Sequence, residues 1–425
     1  MNTAIDGAAR SNYVTSIIAM GVLFFIFGFV TWLNGPLITF VKLAFDLDDI
    51  NAFLVPMAFY LSYFFLALPA SWILGITGMK KGMVLGLLVM AIGAFAFGQF
   101  ATVRIYAGAL TGLFVIGAGL SLLQTAVNPY VSILGPIESA AQRIAIMGIC
   151  NKAAGIIAPL VLGALVLHGI GDLADKVAAA DAATKQVLLN DFAAKIHMPY
   201  AVMAGGLALL AVWALRSPLP EIKAAEANAG AGTAAGGSIF GFPHLWLGVL
   251  CLFLYVGVEV MAGDAIGTYG QGFRLPLDET KFFTSFTLAA MLLGYVAGLF
   301  TIPKFISQER FLALSALLGV AFSIAAYLTR GYVSVGFVAA LGFANAMMWP
   351  AIFPLAIRGL GRYTELGSAF LIMGIAGGAV LPQIFAHLKN HFDFQAVFCA
   401  LMVPAYLYIF FFAVRGYAVG LRSST

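Results

Sequence analysis

Charged residues are scarce in this chain of 425 residues. Only 9% are Asp, Glu, Lys or Arg and 62% are hydrophobic, whereas soluble domains are roughly one-quarter charged. The formal net charge is only +4 and no dense basic stretch occurs, which excludes a nucleic-acid partner. The shortage of charge therefore indicates an integral membrane protein that is surrounded by lipid.

Cysteines are few, and familiar catalytic motifs are missing. Cys150, Cys251 and Cys399 all lie in apolar segments, so we expect reduced thiols and no disulfide framework. Neither a zinc-protease motif nor a phosphate-binding loop nor a nucleophile elbow occurs, so we predict that the chain is not an enzyme and needs no cofactor. His387 and His391 stand four residues apart, but two ligands are too few for a transition-metal site, and we predict none.

Long apolar runs dominate the chain. At about 20 residues per span, the sequence predicts twelve transmembrane helices, at residues 13–40, 51–75, 82–101, 106–134, 143–168, 198–216, 243–270, 282–302, 311–329, 332–357, 366–387 and 394–414. Residues 217–240 are polar and rich in Ala and Gly, a composition typical of a flexible linker. We therefore predict an all-α membrane protein with two six-helix bundles, 1–216 and 242–425, and a linker at 217–241.

The loops indicate how the chain is oriented in the membrane. The termini, the linker and the even-numbered loops hold more Lys and Arg than the opposite loops, in which the long segment 169–197 counts for little. Basic residues collect on the cytoplasmic side, so we predict that both termini and the linker are cytoplasmic. Segment 169–197 itself carries four aspartates among alanines and is interpreted as a short helical excursion at one membrane surface.

Two acids fall inside the seventh run, YVGVEVMAGDAIGTY, namely Glu259 and Asp264. An ionisable group at membrane depth is costly and indicates a functional site. The run also contains several glycines, and transporters often unwind such a helix at the binding site. Lys152, in the fifth run, is a candidate partner from the other half. The alternatives are a purely structural ion pair or hydrogen bond for each acid, and a lysine that only lines a wet cavity.

Amide side chains recur at predicted membrane depth. They are Asn34 after Thr31, Gln124 and Asn128 four residues apart, Asn151, and Asn345 four residues before Trp349. An amide both donates and accepts hydrogen bonds, which suits the hydroxyl groups of a neutral sugar. An indole suits the apolar face of a sugar ring, and Trp32 is a second candidate for that role. Alternatively, the amides join neighbouring helices and the tryptophans anchor the membrane surface.

Three segments, FFIFGFVTWLN, LLQTAVNPYVSILGP and YVGVE, resemble the fucose-permease-like branch of the major facilitator superfamily. This branch includes bacterial fucose, glucose/galactose and N-acetylglucosamine permeases. The resemblance implies the major facilitator fold, alternating access and cation-driven sugar uptake across the bacterial inner membrane. Proton-coupled fucose permeases carry an aspartate after the first-span asparagine and a glutamate in the fourth-span motif, where this chain has Gly35 and Gln124.

The carboxylates left for cation coupling are therefore Glu259 and Asp264. Two carboxylates sharing one site would suit sodium, which we favour, whereas one desolvated acid would suit a proton. On a regular helix the two point about 140° apart, so sharing requires an unwound helix. We predict sodium symport of glucose/galactose or N-acetylglucosamine by a monomer that has only sugar and lipid as partners. The alternatives are an uncoupled sugar facilitator, and a lipid or drug exporter or nutrient sensor on the same scaffold.

Overall fold

The chain crosses the membrane region twelve times. The computed structural model describes residues 2–133, 140–217, 219, 238–302 and 304–420. In these ranges the spans are Val14–Ala44, Asp49–Thr77, Met79–Thr102, Tyr106–Val127, Arg143–Leu165, Ala182–Arg216, Pro243–Gly263, Leu277–Thr301, Gln308–Leu328, Gly331–Ile357, Thr364–Leu388 and Phe394–Val414. The predicted all-α fold is confirmed, and an even number of spans places both termini on one side. Most of the predicted linker, at 218 and 220–237, lies outside the described residues.

Eight spans are built around one long helix each. These helices are Leu54–Thr77, Met79–Thr102, Tyr106–Ile133, Ala140–Leu165, His197–Arg216, Phe283–Thr301, Gln308–Leu328 and Phe394–Val414. Short helices Asp49–Ala52 and Leu277–Thr280 begin the second and eighth spans. The segment predicted as a helical excursion contains two further helices, Ile170–Ala179 and Ala182–Ala194, and the second of them lies within the bounds of the sixth span.

The other four spans are built from consecutive shorter helices, and in the seventh the second helix continues beyond the span bounds given above. They consist of Asn2–Thr31 and Asn34–Ala44, of Pro243–Gly263 and Ile266–Gly272, of Gly331–Asn345 and Met348–Ile357, and of Thr364–Met373, Gly374–Ala376 and Gly377–Leu388. Proline removes a backbone donor and clashes with the carbonyl four residues earlier. Pro36 and Pro350 therefore account for the breaks in the first and tenth spans.

Packing divides the spans into two halves, before and after the linker. In the first half, the third span packs on the fourth and sixth, the second on the fourth, and the first on the fifth. In the second half, the ninth packs on the tenth and twelfth, the eighth on the tenth, and the seventh on the tenth, eleventh and twelfth. The halves meet along two seams, the fifth span against the eighth and the second against the eleventh.

Ionic contacts join the halves on the side opposite the termini. Asp49, at the start of the second span, lies 2.6 Å from Lys42 Nζ and also pairs with Lys389 at the end of the eleventh span. Next to it, Gln383 Nε2 donates to the Ile50 carbonyl at 3.2 Å. At the other seam, Lys281 Nζ donates to the Leu167 carbonyl at 2.8 Å. These contacts join the two halves on this side of the molecule.

Candidate functional site: a cavity between the halves

A cavity of about 110 Å³ lies between the two halves. On the odd-numbered first and fifth spans its lining includes Phe24 and Ile144, which lie in the first half of each span. On the even-numbered eighth and tenth spans it lies towards the end, at Tyr295 and Trp349. Odd spans run away from the termini and even spans run back, so the cavity extends from the middle of the membrane towards the side of the termini.

Some of the predicted amide and indole residues meet at this cavity. Gln124, Asn151, Trp32 and Trp349 all line it. Gln124 Nε2 donates to the Tyr63 hydroxyl at 3.0 Å, which fixes the amide between the fourth and second spans. The cavity wall therefore combines amide groups with aromatic faces.

Three other predicted amides have different positions. Asn345 lies away from the cavity, and its Oδ1 accepts from the Tyr406 hydroxyl at 2.8 Å. This contact joins the tenth and twelfth spans, as the alternative interpretation of such amides anticipated. Asn34 is buried at the break in the first span, beside the Tyr60 hydroxyl. The side chain of Asn128 lies outside the described residues.

Lys152 and Glu259 form an ion pair across the two halves. Lys152 Nζ lies 2.9 Å from Glu259 Oε1, and the two side chains are 9% and 11% exposed. The same ammonium lies 4.5 Å from the centroid of the Trp32 ring, a cation–π arrangement. All three side chains line the cavity. Removing one partner of such a buried pair leaves an uncompensated charge, which costs about 3–5 kcal/mol.

Asp264 has no comparable cationic partner at hand. It lies at the break in the seventh span and is 2% exposed. Its Oδ2 accepts one hydrogen bond, from the Tyr60 hydroxyl at 3.2 Å. Among the described residues, no hydrogen bond of good geometry reaches its Oδ1, although the backbone N–H of Gly35 interacts with this carboxyl. The neighbouring ammonium of Lys152 is already committed to Glu259.

Two hydrogen bonds from the eighth span stabilise this helix break. The hydroxyl of Thr284 donates to the Gly263 carbonyl and that of Thr287 to the Ala262 carbonyl, each at 2.8 Å. These carbonyls end the helix before Asp264 and would otherwise be buried without a partner, at about 1–3 kcal/mol each. The glycines of the seventh run had indicated an interrupted helix, and the two threonines of the eighth span stabilise the interruption.

The broken first and seventh spans touch at Gly35. A Cβ built there would lie 2.4 Å from Thr284 Oγ1 and 3.4 Å from Asp264 Oδ1. The first of these distances is too short for any side-chain carbon, so the close approach requires glycine. The Asp264 carboxyl thus occupies the space next to position 35.

Glu259 and Asp264 make different direct contacts, although their charges lie near enough to interact. Glu259 faces the cavity and is paired with Lys152, whereas Asp264 lies behind Tyr60. Sequence reasoning missed Tyr60 and Tyr63, because aromatic residues in an apolar run look like packing or lipid-facing residues. The sequence feature that could have identified them is their spacing of three residues, which places both on one helical face.

Comparisons with known proteins agree with this architecture. The family model described as Major Facilitator Superfamily matches residues 20–382. A glucose/galactose transporter from Brucella abortus biovar 1 (strain 9-941) is 32% identical over 420 residues, covering 97% of this chain and 96% of that protein. An L-fucose-proton symporter from Escherichia coli (strain K12) is 26% identical over 395 residues, covering 91% and 89%. The crystal structure of the E. coli fucose:proton symporter superposes with a TM-score of 0.74 at 24% identity, covering 95% of this chain and 98% of that chain.

Proposed function

The chain belongs to the Major Facilitator Superfamily, and on that premise we propose that it imports a neutral sugar by cation symport through alternating access. Its relatives are named as transporters or symporters of glucose/galactose and L-fucose, which agrees with the prediction that the chain is not an enzyme. The moving bodies are residues 1–216 and 242–425, and 217–241 is the linker between them. We place both termini in the cytoplasm of a bacterium and the spans in its inner membrane, so the cavity faces inward.

The sugar binds in the cavity between the halves. Gln124 and Asn151 supply amide groups there, and Trp32 and Trp349 supply aromatic faces. This combination suits a ring with hydroxyl groups and one apolar face. Glucose or galactose is supported by the named relatives, and N-acetylglucosamine by the first-span resemblance.

The coupling acid is Asp264, and one observation carries this assignment. Asp264 is buried with one carboxyl oxygen that no hydrogen bond of good geometry reaches from the described residues, whereas Glu259 already has Lys152. A carboxylate at this depth is costly unless a proton or cation neutralises it. Fucose permeases carry their acid at the position of Gly35, and here the Asp264 carboxyl reaches the same place from the seventh span. In this chain the seventh span therefore supplies the acid that the first span supplies in fucose permeases.

A single buried carboxyl suits a proton better than sodium. Sodium was favoured from the sequence because two carboxylates that share one site would suit it, whereas here Glu259 is paired with Lys152 and Asp264 is bonded to Tyr60. Sodium prefers several oxygen ligands, whereas one desolvated acid binds a proton without further ligands. The relatives named L-fucose-proton symporters also support the proton.

Uncoupled facilitation is the second candidate, and the Lys152–Glu259 pair favours it. This pair is electrically neutral without any bound ion, so the cavity could reorient with sugar alone. In that case Asp264 would be a structural residue of the helix break. The two candidates differ in whether sugar can be accumulated against its gradient.

Uptake by reconstituted protein decides between them. Proteoliposomes are given radiolabelled glucose, galactose or N-acetylglucosamine under a proton gradient, a sodium gradient or no gradient. We expect accumulation of one of these sugars above equilibrium with the inward proton gradient only. Accumulation with sodium alone would reassign the ion, and bare equilibration under every gradient would favour the facilitator. Empty liposomes control for leak.

A further inference from the structure

Tyr60 links the cavity to Asp264. Its side chain lines the cavity, and its hydroxyl donates to Asp264 Oδ2 at 3.2 Å. Asp264 itself lies outside the cavity lining of the described residues. The Tyr60 side chain therefore contacts both the space in which a sugar would bind and the acid that would bind a proton.

Both halves of the molecule hold this ring in place. Within the second span, Phe59 packs edge-on against it at a centroid distance of 5.0 Å. From the eleventh span, Gly378 approaches so closely that a Cβ there would lie 3.1 Å from the Tyr60 ring. The residue is only 4% exposed. A ring fixed in this way keeps its hydroxyl at one position.

A phenol hydroxyl has only one proton to donate. When Asp264 is ionised, its carboxylate claims that proton in a charge-assisted hydrogen bond, which is the stronger kind. When Asp264 carries a proton from solution, the carboxyl is neutral and can itself donate to the Tyr60 oxygen. The Tyr60 O–H is then free to donate to a hydroxyl oxygen of a sugar.

We propose that Tyr60 is the residue through which sugar in the cavity and the proton on Asp264 favour each other's binding. This inference rests on the proposed function and adds the physical link between its two sites. Sugar binds best when Asp264 is protonated, and by linkage a proton binds best when sugar is present. Symport follows from this differential affinity. Tyr60 stays neutral throughout, and the proton that moves is the one on Asp264.

Tyr63 provides a matched control. It lies three residues further along the same helix and also lines the cavity. Its hydroxyl is bonded to Gln124 rather than to Asp264. Tyr63→Phe therefore removes the same atom from the same cavity without touching the proposed link.

The test measures sugar binding at acid and alkaline pH together with sugar-dependent proton uptake into proteoliposomes. In the wild-type protein we expect tighter sugar binding at acid pH and proton uptake with sugar. Tyr60→Phe is expected to bind sugar equally at both pH values and to exchange sugar without moving protons. Tyr63→Phe releases Gln124 and is expected to bind sugar more weakly at every pH, but to keep the ratio of affinities at acid and alkaline pH and the proton taken up per sugar.

The outcomes separate this inference from the proposed function. If the wild type shows neither pH-dependent binding nor proton uptake, proton symport fails and the link fails with it. If the wild type shows both and Tyr60→Phe matches it, symport stands and the role of Tyr60 is refuted. Retained sugar exchange reports that the variant is folded. As a second measurement, Asp264→Asn must bind sugar independently of pH both with and without Tyr60→Phe, and adding Tyr60→Phe to it must weaken sugar binding, because the donor to the sugar is then lost. Unchanged affinity in the double variant would overturn the link.

Discussion

The ion pair between Lys152 and Glu259 leads to an asymmetric prediction about stability. Lys152→Met leaves the Glu259 carboxylate buried without its cation, at a cost of about 3–5 kcal/mol. Glu259→Gln leaves Lys152 above the Trp32 ring, 4.5 Å from its centroid, and a desolvated cation–π contact stabilises such a cation by about 2 kcal/mol. The remaining amide oxygen can also accept from the ammonium. Loss of the lysine should therefore destabilise the protein more than loss of the acid.

Thermal unfolding of the purified protein in detergent measures this order. We expect the melting temperature to fall furthest for Lys152→Met and less for Glu259→Gln. The double variant should recover much of the loss, because no unpaired charge remains in it. Equal losses for the two single variants, or a double variant as unstable as their sum, would refute the reasoning.

Two further predictions concern the helix crossing and the side opposite the termini. Gly35→Ala places a carbon 2.4 Å from Thr284 Oγ1 and should lower both the transport rate and the melting temperature. Gly75→Ala adds a carbon in open space and should leave both unchanged. Wild-type transport by the Gly35 variant would contradict the close crossing of the helices. Lys389→Gln removes the cation that pairs the eleventh span with Asp49. A cysteine introduced in the cavity wall should then react faster with a thiol reagent added on the side opposite the termini. An unchanged reaction rate would mean that this ion pair does not limit access from that side.

Much of the fold could be predicted from the sequence, because apolar runs of spanning length and a polar central segment are local features. Pro36 marks a helix break in the same way, through a missing donor and a clash. The scarcity of ions at membrane depth also drew attention to Lys152 and the two acids. Each of these inferences needs only composition or near neighbours in the chain.

Partners that are distant in the chain could not be predicted. Asn345 looked suited to a sugar, yet its amide oxygen is bonded to Tyr406, which is 61 residues away. Which acid meets Lys152 depends on how the seventh span turns at its break, and this is set by the threonines of the eighth span. The role of the Tyr60 hydroxyl was equally hidden, since its acceptor lies 204 residues further on.

Sugar accumulation by Asp264→Asn and Glu259→Gln, compared in proteoliposomes under the same inward proton gradient, tests the central claim most directly. Asp264→Asn has a permanently neutral side chain and is predicted to exchange sugar but not to accumulate it. Glu259→Gln keeps the proposed proton site and is predicted to accumulate sugar. Accumulation by Asp264→Asn at the wild-type level, or its loss in Glu259→Gln alone, would contradict the assignment of Asp264 as the coupling acid.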